Sequence, residues 1–174
     1  MPATSGGGAK TLLVGIIGSG HLSHGLGVSH QLRDLGVTNL ITITGDIHTY
    51  MAGHLKVNFN DPLEPPVGVE FICGSITSAN FGELATFGNG VPVPAAVYVS
   101  SVMRASNPHI KYLNSFTHGY NLLELTSERA MCTMKAVSTI KAPYATIETL
   151  KQFRVMRGQT QIQDMILPEL ALAV

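Results

Sequence analysis

The sequence predicts an α/β fold, in which a parallel unit comes first and antiparallel strands follow. Leu40 to Thr44 is a short run of branched apolar and threonine residues that ends at Gly45, as is typical of a buried strand. Upstream, Val28 to Leu35 has apolar residues at helical spacing, and Gly36 follows where a helix C-cap is expected. Thr11 to Ile17 is predicted to be another short strand. Strand, helix and strand in this order predict an N-terminal β-α-β unit with parallel pairing.

The second half of the chain favours antiparallel strands. Further strands are predicted at Val67 to Cys73, Ile110 to Leu113, Tyr120 to Leu125 and Ala130 to Val137. Thr126 to Arg129 has the composition of a turn, so the two strands around it are expected to form a hairpin. Ala95 to Met103 is predicted to be a helix, and Met51 to Pro66 to be mostly loop.

The chain is long enough for one domain with a proper core, since it has 174 residues. Residues 1–10 are glycine-rich and are predicted to be a flexible leader. A single α/β domain is expected over 11–142. The last segment, 143–174, contains an amphipathic stretch from Ile147 to Met156 and is predicted to be a loosely attached helical tail.

Composition excludes some functional classes. The formal net charge is zero and only 13% of residues are charged, which does not suit a nucleic-acid-binding surface. No apolar run approaches the ~20 residues that a membrane-spanning helix needs, and no secretory signal is found. Cys73 and Cys132 lack metal-site spacing and are predicted to be buried free thiols. The low charge also indicates that a partner chain, a second subunit or further chain covers part of the surface.

Asp46 and His48 are the first candidates for a functional site. They follow the Leu40 strand, and ligands of open α/β sheets bind at the carboxyl ends of the strands. A carboxylate and an imidazole two residues apart can both reach one metal ion. The alternative is a solvated turn without function. His54, His109 and His118 lie in uncertain or turn segments, where structural roles are more common.

The glycine turn from Gly18 to Ser23 offers a competing site. It lies between the first predicted strand and the first helix, and Asp46 ends the next strand, which is the outline of a dinucleotide-binding unit. In this hypothesis, Gly18 and Gly20 face a pyrophosphate. Ser23 replaces the third glycine, however, and Gly25 is a poor helix former where the helix should begin.

A covalent serine mechanism is not supported by the sequence. The turn from Gly74 to Ser78 lacks the second glycine of a nucleophile elbow. A water activated by a metal ion remains open as the alternative.

An ordered series of motifs points to a family. The series consists of Gly45-Asp-Ile-His-Thr-Tyr50, Val69-Glu-Phe-Ile72 leading into Ser75-Ile-Thr-Ser78, Asn107-Pro-His-Ile-Lys-Tyr112, His118-Gly-Tyr120 and Thr126-Ser-Glu-Arg129. From about Val28 to Val137 the chain resembles the C-terminal portion of the PhoD-like alkaline phosphatases, which belong to the calcineurin-like metallophosphatase superfamily.

The resemblance implies a fold, an activity and a site. The expected fold is part of a metallophosphatase-type β-sandwich flanked by helices, and the expected activity is metal-dependent hydrolysis of phosphate monoesters or diesters. Asp46 and His48 match the family's Gly-Asp-x-His motif and would be metal ligands, for ions of iron and calcium type. The Ser75 to Ser78 loop and His118 also match family motifs, and His118 is kept as a candidate catalytic residue.

The family also implies ligands that this sequence does not supply. Most of the family's metal ligands precede the Gly-Asp-x-His motif, and residues 11–27 do not resemble that region. The chain is therefore expected to be a truncated fragment of doubtful activity, whose substrate would be a small phosphate ester. The remaining alternatives are the nucleotide-binding module and a non-catalytic remnant that needs a partner over its sheet edge. Family members are often exported, but nothing in this N-terminus directs export, so no compartment is predicted.

Overall fold

Two β-sheets packed face to face make up most of the structure. The structure is a computed structural model, and it describes residues 15–16, 40–85 and 93–166. The first sheet has the order β1-β2-β4-β3-β5. Its strands are β1 (Gly15–Ile16), β2 (Leu40–Thr44), β3 (Tyr50–Leu55), β4 (Gly68–Ile72) and β5 (Ile110–Asn114). The second sheet has the order β6-β7-β8-β9. Its strands are β6 (Gly119–Leu125), β7 (Arg129–Val137), β8 (Ile147–Met156) and β9 (Gln163–Asp164).

Two helices accompany the sheets in the described ranges. They are α1 (Phe81–Ala85) and α2 (Val93–Ser106), and α2 packs near β5. Neither of them is long and apolar enough to cross a bilayer.

The first sheet is mixed, and this brings several chain ends to one edge. β2 runs parallel to β1 and β4, whereas β3 lies antiparallel between β4 and β5. The carboxyl ends of β2, β4 and β5 therefore meet the start of β3 at the same edge. Gly45, Cys73 and Ser115 leave the sheet there.

The core lies between the two sheets and is rich in aromatic residues. From the first sheet it takes Tyr50, Ala52, Val69 and Phe71, and from the second Cys132, Met134, Phe153 and Val155. The rings of Phe71 and Phe153 stack across the interface with their centroids 6.1 Å apart. Side chains of this size dominate the free energy gained by burying apolar surface.

Most of the predicted elements in the described ranges are confirmed. The strands at Leu40, Val67, Ile110, Tyr120 and Ala130 are present as β2, β4, β5, β6 and β7, and the hairpin of β6 and β7 turns at residues 126–128. α2 contains the helix predicted at Ala95 to Met103. β1 and β2 pair in parallel as expected, while the helix predicted at Val28 to Leu35 lies outside the described residues. The described part of the fold is mostly β, with few helices, rather than α/β.

The predicted helical tail is wrong over Ile147 to Met156, because this segment is strand β8. Phe153 and Val155 alternate into the core as strand residues do. The pairing with β7 shifts between Met134 and Lys135, so that Leu150 is an extra residue in β8 that also packs against the core. This bulge places Leu150 and Phe153, three residues apart, on the same face and so imitates helical spacing.

The loop predicted from Met51 to Pro66 is also wrong in its first part, where β3 forms. The sequence of β3 contains Gly53 and His54 and has few residues that favour strands. It is a strand because it lies between β4 and β5, which bond to both of its edges. Tertiary pairing overrides local preference in this segment.

Tyr50 joins the two sheets through a hydrogen bond. Its side chain is fully buried, and its hydroxyl donates to the carbonyl oxygen of Lys135 in β7 at 2.7 Å. Burial raises the pKa of the Tyr50 phenol above its usual value, so the phenol remains a donor. Two glycines leave room for this side chain. A Cβ on Gly74 would lie 2.6 Å from the ring, and one on Gly119 would lie 2.5 Å from the hydroxyl oxygen.

We expect Gly119→Ala to destabilise the protein by about 3 kcal/mol or more, because it combines an unfavourable φ with a clash. The φ angle of Gly119 is 149°, and its Cβ would lie 2.0 Å from the carbonyl oxygen of Lys135. Gly158→Ala is the matched control, since Gly158 has a φ of 74° and open space around it. It should lose only about 1–2 kcal/mol. Urea unfolding midpoints measure both, and equal losses would contradict the packing role of Gly119.

We expect Glu70→Gln to raise the melting temperature at pH 8 and to leave it unchanged at pH 4. Glu70 is buried in β4, accepts a hydrogen bond from Thr44 at 2.7 Å, and burial raises its pKa above the usual 4.5. The unfolded chain therefore loses this proton at lower pH than the folded chain, and stability falls as pH rises through the folded pKa. Glutamine keeps the acceptor without ionising. Glu148→Gln, at an exposed position, should have no such effect.

Candidate metal-binding site

The turn after β2 contains two residues in an unusual backbone conformation. Asp46 has a φ of 74° and His48 a φ of 53°, although neither is glycine. The amide of Ile47 donates to the carbonyl oxygen of Gly45 at 3.0 Å, so that Asp46 is the central residue of a γ-turn with positive φ. Such conformations cost about 1–3 kcal/mol each and concentrate at functional sites.

Buried hydrogen bonds hold the base of this turn. Thr49 is buried, and its hydroxyl bonds to the carbonyl oxygen of Ile47 at 3.2 Å and to the hydroxyl of Ser115 at 2.8 Å. On the other side, the amide of Cys73 donates to the carbonyl oxygen of Thr44 at 2.9 Å. Asp46, in contrast to these buried groups, is exposed to solvent.

The half-buried ring of His48 has one nitrogen fixed by the backbone. Its Nδ1 lies 2.8 Å from the carbonyl oxygen of Ala79. A carbonyl oxygen can only accept, so Nδ1 must carry the hydrogen and Nε2 of the neutral ring retains its lone pair. Metal-binding histidines in proteins are commonly arranged in this way.

The Ala79 carbonyl belongs to a loop that leads into helix α1. Asn80 is the N-cap of this helix: its Oδ1 accepts the amide hydrogen of Glu83 at 2.9 Å, and Oε2 of Glu83 accepts the amide hydrogen of Asn80 at 2.9 Å. These reciprocal bonds form a capping box. The carbonyl oxygen of Asn80 also accepts the amide hydrogen of Leu84 at 3.0 Å.

His118 is buried beside this capping box. Its Nε2 lies 3.2 Å from Oε2 of Glu83 and 3.5 Å from Nδ2 of Asn80. The bond from the Asn80 amide, together with the contact to His118, lowers the pKa of the Glu83 carboxyl below its usual value. Glu83 is therefore an ionised acceptor, and the Nε2–H of His118 donates to it.

Ser75, His118 and Glu83 lie in the order of a hydrolase triad, but the hydrogen bonds do not support that mechanism. The hydroxyl of Ser75 donates to the carbonyl oxygen of Ser78, while Nδ1 of His118 lies 3.4 Å from Oγ of Ser75. The hydroxyl proton therefore points away from the imidazole that would have to remove it. The arrangement agrees with the sequence, which does not support a covalent serine.

Of the residues proposed from sequence, Asp46 and His48 lie together at the strand ends, and His118 is linked to them through residues 75–80. His54 and His109 lie at the opposite end of the first sheet, where the amide of His54 donates to the carbonyl oxygen of His109 at 2.9 Å. Burial and nearby lysines lower the pKa of His54 to about 4, so it is neutral at neutral pH.

The other sequence-based candidates have different outcomes. Gly18 and Gly20 lie outside the described residues. Both cysteines are free thiols, and Cys132 is buried whereas Cys73 is only partly so. Over residues 40–85 and 93–166, no group of three or more His, Cys, Asp or Glu side chains is placed to hold a metal ion.

Sequence reasoning missed Ala79, Asn80 and Glu83. The pattern Asn80-x-x-Glu83 is itself a capping signal and could have located the start of α1. No sequence pattern indicates the pairing of Glu83 with His118, which lies 35 positions later in the chain.

Comparison with known proteins agrees with this architecture. A solved structure of PhoD superposes with a TM-score of 0.61 over 84% of this chain and 26% of that chain, at 20% sequence identity. Alkaline phosphatase D of Bacillus subtilis (strain 168) is 26% identical over 136 residues, which are 78% of this chain. The chain thus spans about a fifth of the length of that relative, 21%. The model of the PhoD-like phosphatase family matches residues 21–134. The chain belongs to the PhoD-like phosphatase family.

Proposed function

We propose that the turn from Gly45 to His48 is a metal-binding element of a phosphate-ester hydrolase. The observation that carries this proposal is the state of His48, whose Nδ1–H is bound by the Ala79 carbonyl so that Nε2 is available as a ligand. Family membership supports the same reading. The chain thereby contributes to hydrolysis of phosphate monoesters or diesters, within an architecture that resembles half of a metallophosphatase sandwich.

The two donors fit ions of iron and calcium type. A carboxylate oxygen is a ligand for hard cations, and an imidazole nitrogen suits iron. When bound, such ions neutralise phosphoryl oxygens and lower the pKa of a coordinated water. Asp46 and His48 fill only two positions, so water, phosphate oxygens or groups outside the described residues would fill the others.

The residues of this chain do three things in this proposal. Asp46, the central residue of the γ-turn, presents an exposed carboxylate. His48 presents Nε2 with its proton held on the opposite nitrogen. His118, the earlier catalytic candidate, is bonded to Glu83 and buried, so we assign it a supporting role rather than contact with substrate.

The two alternatives have less support. The nucleotide-binding module depends on Gly18 and Gly20, which lie outside the described residues. A partner chain or second copy covering a sheet edge also remains a proposal. Among the described strands, β6 pairs only with β7. Sedimentation showing a monomer at every concentration would contradict the second copy.

Titration with Co²⁺, as a spectroscopic stand-in for iron, should perturb His48 before any other histidine. The measurement is a long-range ¹H–¹⁵N correlation spectrum of histidine-labelled protein. Asp46→Asn and His48→Gln should each weaken binding by about 1.4 kcal/mol or more, which is tenfold. His109→Gln is the control, because His109 lies at the other end of the sheet. Equal perturbation of the signals of all histidines by Co²⁺ would contradict a metal site at His48. Turnover of a chromogenic phosphodiester, lost in the same two variants, would establish catalysis by this chain.

Asp46→Gly should stabilise the fold by about 1 kcal/mol while removing the proposed carboxylate ligand. The reason is the φ of 74° at Asp46, which glycine adopts without strain. Asp61→Gly is the matched control. Asp61 does not have a positive φ, and its carboxylate accepts the amide hydrogen of Leu63 at 2.9 Å. That control should be destabilised. Thermal unfolding measures both, and a loss of stability in Asp46→Gly would refute stored strain at this turn.

A further inference from the structure

Asn80 lies between a hydrogen bond to His48, which follows a strand of the first sheet, and a pair of hydrogen bonds that include His118, which precedes a strand of the second sheet. On one side, the preceding residue Ala79 accepts the Nδ1–H of His48, which follows β2. On the other side, Oε2 of Glu83 accepts both the Asn80 amide hydrogen at 2.9 Å and the Nε2–H of His118 at 3.2 Å. One carboxylate oxygen therefore holds the helix cap and the imidazole together.

We propose that Asn80, Glu83 and His118 are positioning residues that select the metal-binding tautomer of His48. The three residues fix the backbone at Ala79, and the Ala79 carbonyl fixes the proton of His48 on Nδ1. The inference rests on the proposed function, because that function is what makes Nε2 of His48 a metal ligand.

The position of His118 is fixed independently of helix α1. It directly precedes β6, and its carbonyl oxygen accepts the amide hydrogen of Val137 in β7 at 2.9 Å. The amide of the next residue, Gly119, donates to the carbonyl oxygen of Ser75 at 2.9 Å. The buried ring thus extends from the second sheet towards the loop that carries Ala79.

Helix α1 needs this support because it is short. It has five residues, far fewer than the roughly 12–15 needed for an isolated helix to be even marginally stable in water. Its start depends on the capping box and on the amide of Gly82, which donates to the carbonyl oxygen of Ser115 at 3.1 Å. Loss of the shared oxygen of Glu83 would leave the buried amide of Asn80 without this partner and would remove the acceptor of the His118 Nε2–H.

Movement of the Ala79 carbonyl would change the chemistry of His48. Without an acceptor for Nδ1–H, the ring can carry its proton on Nε2 instead, and that nitrogen then has no lone pair for a metal. The effect on His48 reaches it through the backbone of residues 79 and 80.

The decisive experiment reads the tautomer of His48 in metal-free protein. Long-range ¹H–¹⁵N spectra at pH 8 distinguish Nδ1–H from Nε2–H, and wild-type His48 should be in the Nδ1–H form. Glu83→Ala should convert a substantial fraction to Nε2–H. Glu83→Gln should restore the wild-type spectrum, because its amide oxygen can accept both hydrogen bonds. His118→Asn, whose side chain is too short to reach Oε2, should resemble Glu83→Ala and provides a second variant if Glu83→Ala does not fold.

His109→Gln is the matched control, since it removes another partly buried histidine far from the loop. It should leave the His48 tautomer unchanged. The inference is overturned if wild-type His48 is in the Nε2–H form, or if folded Glu83→Ala and His118→Asn keep the wild-type tautomer. It is also overturned if His109→Gln shifts the tautomer as much as they do.

Metal titration separates failure of this inference from failure of the proposed function. If the function holds, Glu83→Ala should raise the Co²⁺ dissociation constant about 10- to 100-fold, as is usual for groups that orient a ligand. A tautomer that responds as expected in a protein that binds no Co²⁺ would refute the metal site and leave the positioning network intact. A tautomer that does not respond, in a protein that binds Co²⁺ through His48, would refute the network alone.

Discussion

The hydrogen bond from Tyr50 to the carbonyl of Lys135 is the contact on which the rest of the structure depends. It fixes the start of β3, in the first sheet, against the C-terminal end of β7 in the second sheet. Gly74 and Gly119 leave room for the side chain of Tyr50, so the loop at Gly74 and the start of β6 at Gly119 both pack against the same group. His48 lies two residues before Tyr50, and His118 immediately precedes Gly119. The contact that packs the two sheets together therefore also constrains the geometry of the candidate site.

This constraint explains how the chain sustains positive φ angles at Asp46 and His48. Strained backbone persists only where its surroundings over-determine it. Here the turn is held between Thr44, bonded to Cys73, and Thr49, bonded to Ser115, while β2 and β3 both bond to β4. Thr44, Thr49 and Ser115 are buried, and Cys73 directly follows β4. The strands and strand ends around the turn thus contribute to the free energy that maintains it, in addition to the hydrogen bonds that the turn makes itself.

Sequence reasoning identified those features that are local. β2 was predictable from its branched residues, the β6–β7 hairpin from its turn, and the placement of Asp46 and His48 at a strand end from the order of residues. β3 was not predictable, because its neighbours rather than its residues make it a strand. β8 was mistaken for a helix because the bulge at Leu150 interrupts the alternation of buried and exposed residues that is typical of a strand. The partnership of Glu83 with His118 joins distant segments, and only the packing of the two sheets brings them together.

The backbone at Asp46 has a consequence for how this site can change over generations. Glycine, asparagine and aspartate are the residues that accept a left-handed conformation most readily, and only aspartate is an anion. Replacement by asparagine leaves the strain of the turn about as it is and replacement by glycine relieves it, and both remove the charge. Purifying selection for folding therefore does not protect the carboxylate, and only selection for its chemistry can. A descendant released from that second pressure could lose the charge at position 46 and still retain the turn and the sheet around it.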